Sequence, residues 1–303
     1  MSDREKQERI RELLKERRGI LLVHYYQRGE IQDIADILGD SLALSIEAAK
    51  TDAEVILFAG VRFMAESAAI LSPDKTVLLP LLDAGCPLAD TITADELREA
   101  KKKYPDAAVV AYVNSSAETK ALSDICCTSA NAVRIVSSLK DAKRILFVPD
   151  GNLARYTARF TDKEIIPWKG SCYVHDTLTP EEVKAAKERH PGAVVAAHPE
   201  CRPAVLDLAD FIGSTGGIIR FARETDAREV IVGTELGIMH QLRKENPEKT
   251  FIPLSDTMIC QDMKKITLDD VLDSLLTMRH VIRVPEEIRV PAGEALERML
   301  KVS

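Results

Sequence analysis

Apolar runs alternate with amphipathic stretches along most of the chain. An uninterrupted apolar run is typical of a strand buried on both faces, and apolar residues three or four positions apart are typical of a helix. In the first third of the chain these patterns predict a helix over residues 3–18, a strand over 20–23, a helix that reaches residue 49, a strand over 51–58, a helix over 61–71 and a strand over 76–79. Strands that alternate with helices predict parallel sheets covered on both faces.

The same order of elements occurs three times. Four kinds of landmark keep their places in each copy: an aspartate, a hydroxyl residue, an Asp-Ala pair and a cysteine. In chain order they are Asp36, Asp124 and Asp210; Ser41, Ser129 and Thr215; the pairs that begin at Asp52, Asp141 and Asp226; and Cys86, Cys172 and Cys260. The cysteines stand 86 and 88 positions apart, a period longer than that of solenoid repeats. We therefore predict three related α/β domains over residues 1–104, 105–190 and 191–267.

Residues 268–303 do not follow the repeat. Their pattern predicts a helix over 267–278, a strand over 281–284 and a closing helix over 291–300. We expect this segment to pack on the first repeat.

The composition limits the class of protein and its partners. The 303 residues are 46% hydrophobic and 29% charged, as in a soluble globular chain with a sizeable core. No apolar run reaches the length of a membrane span, and the charged N-terminus does not resemble a signal peptide. The expected location is the cytoplasm, where the six cysteines would be thiols or metal ligands. A net charge of −7 argues against nucleic acid as a partner but does not exclude an anionic substrate.

Polar residues follow the first predicted strand of each repeat. In parallel α/β sheets, ligands bind at the carboxyl ends of the strands. The residues at these ends are His24 and Tyr26, Tyr112 and Asn114, and His198 and Glu200. Because three repeats present polar groups at one place, we predict a shared central site, with Tyr26 and Glu200 as acid–base candidates.

Hydroxyl residues lie at or near the predicted helix starts, where they can cap the helix or hold an anion. They are Ser41, Ser129 and Thr215. The glycine-rich stretch 213–217 has the character of an anion cradle, because glycines let backbone N–H groups approach an oxyanion closely.

Other polar residues and thiols are better explained by structure than by chemistry. Each histidine, taken alone, is commonly a core residue. We expect buried carboxylates that cap a nearby loop or helix at Asp36, Asp124 and Asp210. The thiols without counterparts in the other repeats are expected to be small core residues, and these are Cys126, Cys127 and Cys201.

The three repeat-related cysteines indicate a metal centre. Related units around a common axis would bring three thiolates to one point. Structural zinc commonly takes four ligands from closely spaced pairs, and the chain has no C-x-x-C pair. Three widely separated thiolates suit an iron–sulfur cubane with one open iron, and zinc is the alternative.

The chain also resembles quinolinate synthase. The resemblance extends from about residue 19 to residue 263 and is carried by segments in the expected order: 23–27 (VHYYQ), 39–42 (GDSL), 86–90 (CPLAD), 112–114 (YVN), 123–131 (SDICCTSAN), 168–175 (WKGSCYVH), 198–201 (HPEC) and 213–216 (GSTG). Each segment alone is weak, but together with a cysteine in every repeat they are specific to that family.

The resemblance implies a fold, a cofactor and a reaction. The fold is three similar three-layer α/β/α domains with parallel sheets around a pseudo-threefold axis. The cofactor is a 4Fe–4S cluster held by Cys86, Cys172 and Cys260, with an open iron as Lewis acid. The reaction joins iminoaspartate with dihydroxyacetone phosphate to give quinolinate, phosphate and water for NAD biosynthesis. An aspartate-oxidising enzyme is the implied functional partner.

By the same resemblance, Tyr26 and Glu200 move protons, and His24 and His198 bind substrate or assist proton transfer. The residues implied to bind the substrates are His24, Ser41, Tyr112, Asn114, Ser129, His198, Glu200 and Thr215. His175 and Met263 match family positions near the cluster. Two other functions stay open: a different iron–sulfur hydro-lyase on this scaffold, and a ligand-binding or redox-sensing protein whose cluster or zinc is structural.

Overall fold

Three parallel four-stranded sheets organise the chain, of which the computed structural model describes residues 1–302. In each sheet the strands lie in the order second, first, third, fourth along the repeat. Every pair within the sheets is parallel. Helices are interleaved with the strands, so the predicted class of three similar α/β domains is confirmed. No helix in residues 1–302 combines the length and the apolar character needed to cross a membrane.

The first sheet follows the N-terminal helix. Its strands are β1 (Gly19–His24), β2 (Ile37–Gly39), β3 (Val55–Ala59) and β4 (Thr76–Leu78). The helices of this part are α1 (Asp3–Glu16), α2 (Gly29–Gln32), α3 (Ser41–Lys50), α4 (Arg62–Leu71) and α5 (Ala94–Lys103). A capping box between Ser2 and Glu5 starts α1, which buries its predicted face of Ile10, Leu13 and Leu14. All of β3 is buried, as its uninterrupted apolar run predicts.

The second sheet repeats this arrangement. Its strands are β5 (Ala107–Tyr112), β6 (Ile125–Cys127), β7 (Arg144–Val148) and β8 (Glu164–Pro167). Its helices are α6 (Ala117–Ala121), α7 (Ala132–Ser138), α8 (Gly151–Ala158), α9 (Tyr173–Asp176) and α10 (Pro180–Arg189). A capping box between Thr179 and Glu182, with Pro180 at the first helical position, fixes the start of α10.

The third sheet is covered by apolar side chains on both faces. Its strands are β9 (Val194–Ala197), β10 (Phe211–Ile212), β11 (Glu229–Gly233) and β12 (Thr250–Pro253). Its helices are α11 (Pro203–Leu206), α12 (Thr215–Glu224), α13 (Ile238–Glu245) and α14 (Gln261–Lys265). Ile231 packs in one apolar cluster, whereas Val230 and Val232 pack in another. Since neighbouring strand residues face opposite ways, the two clusters lie on opposite faces of the sheet.

The apolar pattern does not predict the second strand of each sheet, because two or three residues are too few to show a period. The aspartate before each of these strands accepts a hydrogen bond from the backbone N–H of the first strand. The pairs are Asp36 with Leu21 at 2.8 Å, Asp124 with Val109 at 2.7 Å and Asp210 with Val195 at 2.8 Å. All three aspartates are exposed, so the expectation of buried carboxylates is wrong. They hold two neighbouring strands in register.

The C-terminal segment consists of α15 (Leu268–Thr277) and α16 (Glu286–Val302). The first of these helices packs on α1 and β3. The second contacts α4 of the first repeat and also α6 and β6 of the second, so it joins two repeats.

Two predicted details of this segment are wrong. The expected strand is reduced to an isolated antiparallel bridge between Val281 and Leu78 of the three-residue edge strand β4, beside a backbone hydrogen bond from Ile282 to Val77. The closing helix begins at Glu286 and continues through Pro291. Its acidic first turn favours the earlier start, since carboxylates stabilise a helix N-terminus.

Candidate active site

One cavity is lined by the loops that follow the strands of all three sheets. All the site residues predicted from the sequence line it: His24, Tyr26, Ser41, Cys86, Tyr112, Asn114, Ser129, Cys172, His198, Glu200, Thr215 and Cys260. The structure therefore brings the predicted residues together, and their individual roles stay predictions.

His24 ends β1 and is a neutral imidazole. Its Nδ1 accepts the backbone N–H of Tyr26 at 3.1 Å, so the proton of the neutral ring is on Nε2. Burial lowers the pKa of His24 to about 4, although Asp40 works in the opposite direction. The two rings of His24 and Tyr26 lie edge to face, with centroids 4.6 Å apart.

Glu200 is buried between two histidines. Its Oε2 lies 2.7 Å from Nδ1 of His175 and 3.4 Å from Nδ1 of His198. Burial by itself would raise the pKa of Glu200, but His198 and His175 outweigh it and hold this pKa well below the usual value. Burial lowers the pKa of His198 against the attraction of Glu200. Glu200 is therefore ionised, and its Oε1 is buried without a hydrogen-bond partner.

Two tyrosines present protonated phenols to the cavity. Burial, reinforced by the charge of Glu200, raises the pKa of both Tyr26 and Tyr112 well above the usual value. The phenol oxygen of Tyr26 accepts a hydrogen bond from Thr215 at 2.9 Å and lies 2.6 Å from Oγ1 of Thr234. Each phenol can act as a proton donor at neutral pH.

The predicted hydroxyls lie at or close to helix starts. Ser41 is the first residue of α3, and Thr215 is the first residue of α12. Ser129 precedes α7, and its Oγ lies 3.2 Å from Nε2 of His198.

The glycine-rich stretch 213–217 holds an anionic group of the chain itself. Ser214 caps α12, and its hydroxyl donates to Oδ2 of Asp40 at 3.1 Å. The backbone N–H of Gly216 donates to the same oxygen at 3.3 Å. A Cβ at Gly216 would lie 2.7 Å from that oxygen, so a larger residue here would displace the carboxylate of Asp40. In this structure the predicted anion cradle therefore ties the first repeat to the third.

The six cysteines fall into two groups, as predicted. Cys126, Cys127 and Cys201 are fully buried in apolar clusters. Cys86, Cys172 and Cys260 are partly buried and line the cavity.

Two buried carboxylates support two of the cavity cysteines, and the sequence analysis missed both. Asp150 accepts the backbone N–H of Cys172 at 3.2 Å, and Glu235 accepts that of Cys260 at 3.1 Å. Each stands two residues after the third strand of its repeat. Val61 has the equivalent place in the first repeat, so no carboxylate occupies that position there. Asp150 and Glu235 have matching positions in two repeats, and this match is the signal in the sequence that could have identified them.

An ion pair completes the surroundings of Cys260. Nζ of Lys264 lies 2.9 Å from Oε1 of Glu235 and also donates to the backbone oxygen of Tyr26. Burial raises the pKa of Glu235 and Lys264 opposes this effect. The pair links the loop of Cys260 to the loop that carries Tyr26.

The cavity has the ligands for a metal cofactor. Burial raises the pKa of the thiols of Cys86, Cys172 and Cys260, so their thiolate forms require a nearby cation, which a bound metal supplies.

The spacing of the three sulfurs bears on which metal would fit. Among the described residues, one group of three or more potential ligand atoms lies within 4.8 Å of one another, and it consists of Cys172, His175 and Glu200. The sulfurs of Cys86 and Cys260 stand outside this group. A single tetrahedral zinc with Zn–S bonds of about 2.3 Å would hold its sulfurs only about 3.8 Å apart. The three cysteine sulfurs do not form such a group within 4.8 Å, so a single zinc ion bound by all three fits this arrangement less well.

The fold and the cavity together define a class of protein. It is an α/β protein of three similar domains in which thiols, imidazoles, phenols and a buried carboxylate surround one cavity. Residues 8–301 match the family described as Quinolinate synthetase A protein.

Curated relatives lead to the same family over nearly the full chain. The chain is 58% identical to quinolinate synthase of Geotalea uraniireducens over 293 residues, which cover 97% of this chain and 96% of the relative. It is 56% identical to that of Methanoregula boonei over 294 residues, 97% of each chain. It is 52% identical to that of Thermodesulfovibrio yellowstonii, again over 97% of each chain. The chain therefore belongs to the quinolinate synthase family.

Proposed function

We propose that this enzyme joins iminoaspartate with dihydroxyacetone phosphate to give quinolinate, phosphate and water for NAD biosynthesis. We further propose that Cys86, Cys172 and Cys260 hold a 4Fe–4S cluster. The observation that carries the proposal is that one cysteine from each repeat lines the same cavity as the acid–base candidates Tyr26 and Glu200. Family membership and the poorer fit of the three sulfurs to a single zinc ion support it.

When bound, such a cluster would supply an open iron as a Lewis acid for the hydroxyl that leaves as water. The protein residues supply the proton transfers. Glu200 is ionised and its Oε1 has no partner, so this oxygen can accept a proton from the condensing substrates. Tyr26 and Tyr112 are protonated and can donate.

Neutral donors would bind the two anionic substrates. No lysine or arginine is among the described residues that line the cavity. His24 and His198 offer imidazole nitrogens, and hydroxyls are provided by Ser41, Ser129 and Thr215. Oδ1 of Asn114 is buried without a partner, so its amide has hydrogen-bonding capacity left for a ligand.

The proposal includes a functional partner and a location. Iminoaspartate is an imine that hydrolyses readily, so a second enzyme that oxidises aspartate would supply it. Both enzymes would work in the cytoplasm, where the thiols stay reduced.

The decisive experiment is a metal analysis followed by a two-substrate assay on protein purified without oxygen. We expect about four irons and four sulfides per chain, a brown absorbance that bleaches in air, and quinolinate only when both substrates are present. A complete cluster without quinolinate would favour another iron–sulfur hydro-lyase. Zinc, or no metal after anaerobic reconstitution, would favour a ligand-binding protein.

A further inference from the structure

Lys120 is a fully buried lysine to which the proposed reaction gives no role. It belongs to α6 and does not line the cavity itself. Its Nζ donates a hydrogen bond to the backbone oxygen of Ser115 and lies 5.5 Å from the centre of the Phe63 ring, which does line the cavity. No other lysine or arginine in residues 1–302 is buried. Burial of an amine costs free energy that its contacts must offset, so the bond to Ser115 is the feature to explain.

The oxygen that Lys120 holds belongs to the loop that carries two cavity residues. This loop follows β5, whose last residue is Tyr112, and both Tyr112 and Asn114 line the cavity. Ser115 is fully buried, and its own hydroxyl donates to the backbone oxygen of Tyr112 at 2.8 Å. Lys120 therefore fixes the backbone one residue after Asn114, whose Oδ1 is buried without a partner.

The first repeat holds its loop in the same way. The residue four positions before the landmark aspartate is Gln32 there, as it is Lys120 in the second repeat. Nε2 of Gln32 donates to the backbone oxygen of Gln27 at 2.8 Å, and Gln27 directly follows the cavity residue Tyr26. Two repeats therefore use a side-chain donor at one position to hold the backbone oxygen that comes after a cavity residue.

The third repeat shows that the fold does not require a donor at this position. The counterpart there is Leu206, which is buried in an apolar cluster. The loop of the third repeat is held differently, since the backbone oxygen of Glu200 accepts from the amide of Asn152 at 3.1 Å. A lysine at this position is therefore explained by the loop that it holds rather than by the helix to which it belongs.

We propose that Lys120 is a positioning residue for substrate binding, a proposal that rests on the binding role given to Asn114 above. Its amine holds the loop after β5, so that the side chain of Asn114 meets the substrate in a fixed place. Without the donor, the backbone beside Asn114 would be freer and the substrate would bind less tightly, while Glu200 would stay in place. Burial lowers the pKa of Lys120, but the hydrogen bond does not depend on its charge, because a neutral amine also donates.

Two substitutions separate the donor from the bulk of the side chain. Lys120→Met keeps the length and removes the amine. Lys120→Gln keeps an N–H donor, and Gln32 shows that a glutamine at this position reaches the equivalent oxygen. Should Lys120→Met fail to fold, Lys120→Leu takes its place, because the third repeat has leucine here.

The measurements are steady-state kinetics and quinolinate binding on protein with its full iron content. We expect Lys120→Met to raise the KM of one or both substrates about 10-fold, the usual size of one hydrogen bond, with kcat close to that of the parent. The dissociation constant of quinolinate, measured by calorimetry, should rise by a similar factor. Lys120→Gln should keep the parent KM, and iron content and the visible spectrum should be unchanged in both variants.

A double-mutant cycle tests whether Lys120 acts through Asn114. Asn114→Ala removes the amide that the loop presents to the cavity. If Lys120 only places this amide, Lys120→Met should change KM by less than about 2-fold in the Asn114→Ala background. Independent, additive effects of the two changes would overturn the proposal.

Lys163→Met is the matched control. Nζ of Lys163 also donates to backbone oxygens, those of Leu139 and Ala142, both at 2.7 Å. It directly precedes β8, at the amino end of the second sheet, and does not line the cavity. This variant loses bonds of the same kind and should keep the parent KM.

Three further results would overturn the proposal: an unchanged KM for both substrates in Lys120→Met, an equal rise in Lys120→Gln, or loss of iron from Lys120→Met. In each case quinolinate formation by the parent would leave the proposed function intact. A parent protein with a full cluster and no quinolinate output would remove both.

Discussion

The amino ends of the three sheets are alike, whereas their carboxyl ends differ. At the amino ends, the aspartate bonds between the first and second strands measure 2.8, 2.7 and 2.8 Å. At the carboxyl ends, the first strands lead to His24, Tyr112 and His198. The second residues after the third strands are Val61, Asp150 and Glu235.

The difference distinguishes a framework of residues that hold the strands together from the residues at the cavity that would carry out the chemistry. A bond that joins two strands works equally well in every repeat, so it stays the same. A site for the two unlike substrates proposed above would need unlike groups on its sides, so three identical loops would not serve it. The cysteine is the exception, since each repeat keeps one at the cavity, as three equivalent ligands of one metal cluster would require.

The largest loss of activity is expected for the cavity cysteines, which all three repeats share. Cys86→Ser, Cys172→Ser and Cys260→Ser each remove a proposed cluster ligand. Protein purified without oxygen should therefore lack the visible absorbance and the full iron and sulfide content, and turnover should fall to background. Metal analysis and the quinolinate assay measure both.

Cys126→Ser provides the control for this set. Cys126 is fully buried in the apolar core and does not line the cavity, so the variant should keep its cluster. A full cluster in any one of the three cavity variants would contradict the idea that the repeats converge on one metal centre.

The next largest effect is expected for Glu200→Gln, which removes the proposed base and preserves its shape. We expect kcat to fall about 1,000-fold, within the usual contribution of general acid–base catalysis. The cluster spectrum should not change, because the three thiols remain. Normal quinolinate output from this variant would show that another residue is the base. The role of Glu200 would then no longer explain why the carboxyl ends differ.

The sequence was sufficient to predict the features that depend on local pattern. The strand β3 is a continuous apolar run, and the cavity cysteines keep their places in all three repeats, so both could be read without a structure. The resemblance to a known family then assigned the cavity residues at once.

Contacts between distant segments could not be predicted. Asp40 bonds Gly216, 176 positions away, and Lys264 pairs with Glu235, 29 positions away. Such pairs depend on how the repeats pack against one another, which no local period encodes. The same applies to α16, whose apolar face does not reveal that it contacts two repeats.

Glu235→Gln tests how much the buried carboxylate that accepts the backbone N–H of Cys260 contributes to the free energy of unfolding. Glu235 is fully buried, and the change leaves Lys264 without its charged partner. Breaking such a pair should lower the free energy of unfolding by about 3 kcal/mol, measured by denaturant unfolding of the apo protein.

The matched amino-end change is Glu164→Gln. Glu164 begins β8 and pairs with Arg144, and its side chain is 60% exposed. Its loss should cost less than about 1 kcal/mol. Equal losses of unfolding free energy in Glu235→Gln and Glu164→Gln would contradict the distinction between a solvated framework at the amino ends and a buried site at the carboxyl ends.

The smallest effects are expected at the aspartates of the amino ends. Asp36→Ala and Asp124→Ala each remove one hydrogen bond to a strand, which should lower the free energy of unfolding by about 1 kcal/mol, equally in both. Asp210→Ala should cost slightly more, because Asp210 also pairs with Lys187 at 3.1 Å. All three variants should retain the parent kcat and cluster, since none of these aspartates lines the cavity. A fall in kcat at any of them, with stability otherwise as expected, would show that the amino ends also shape the site and that framework and chemistry are not separable in this fold.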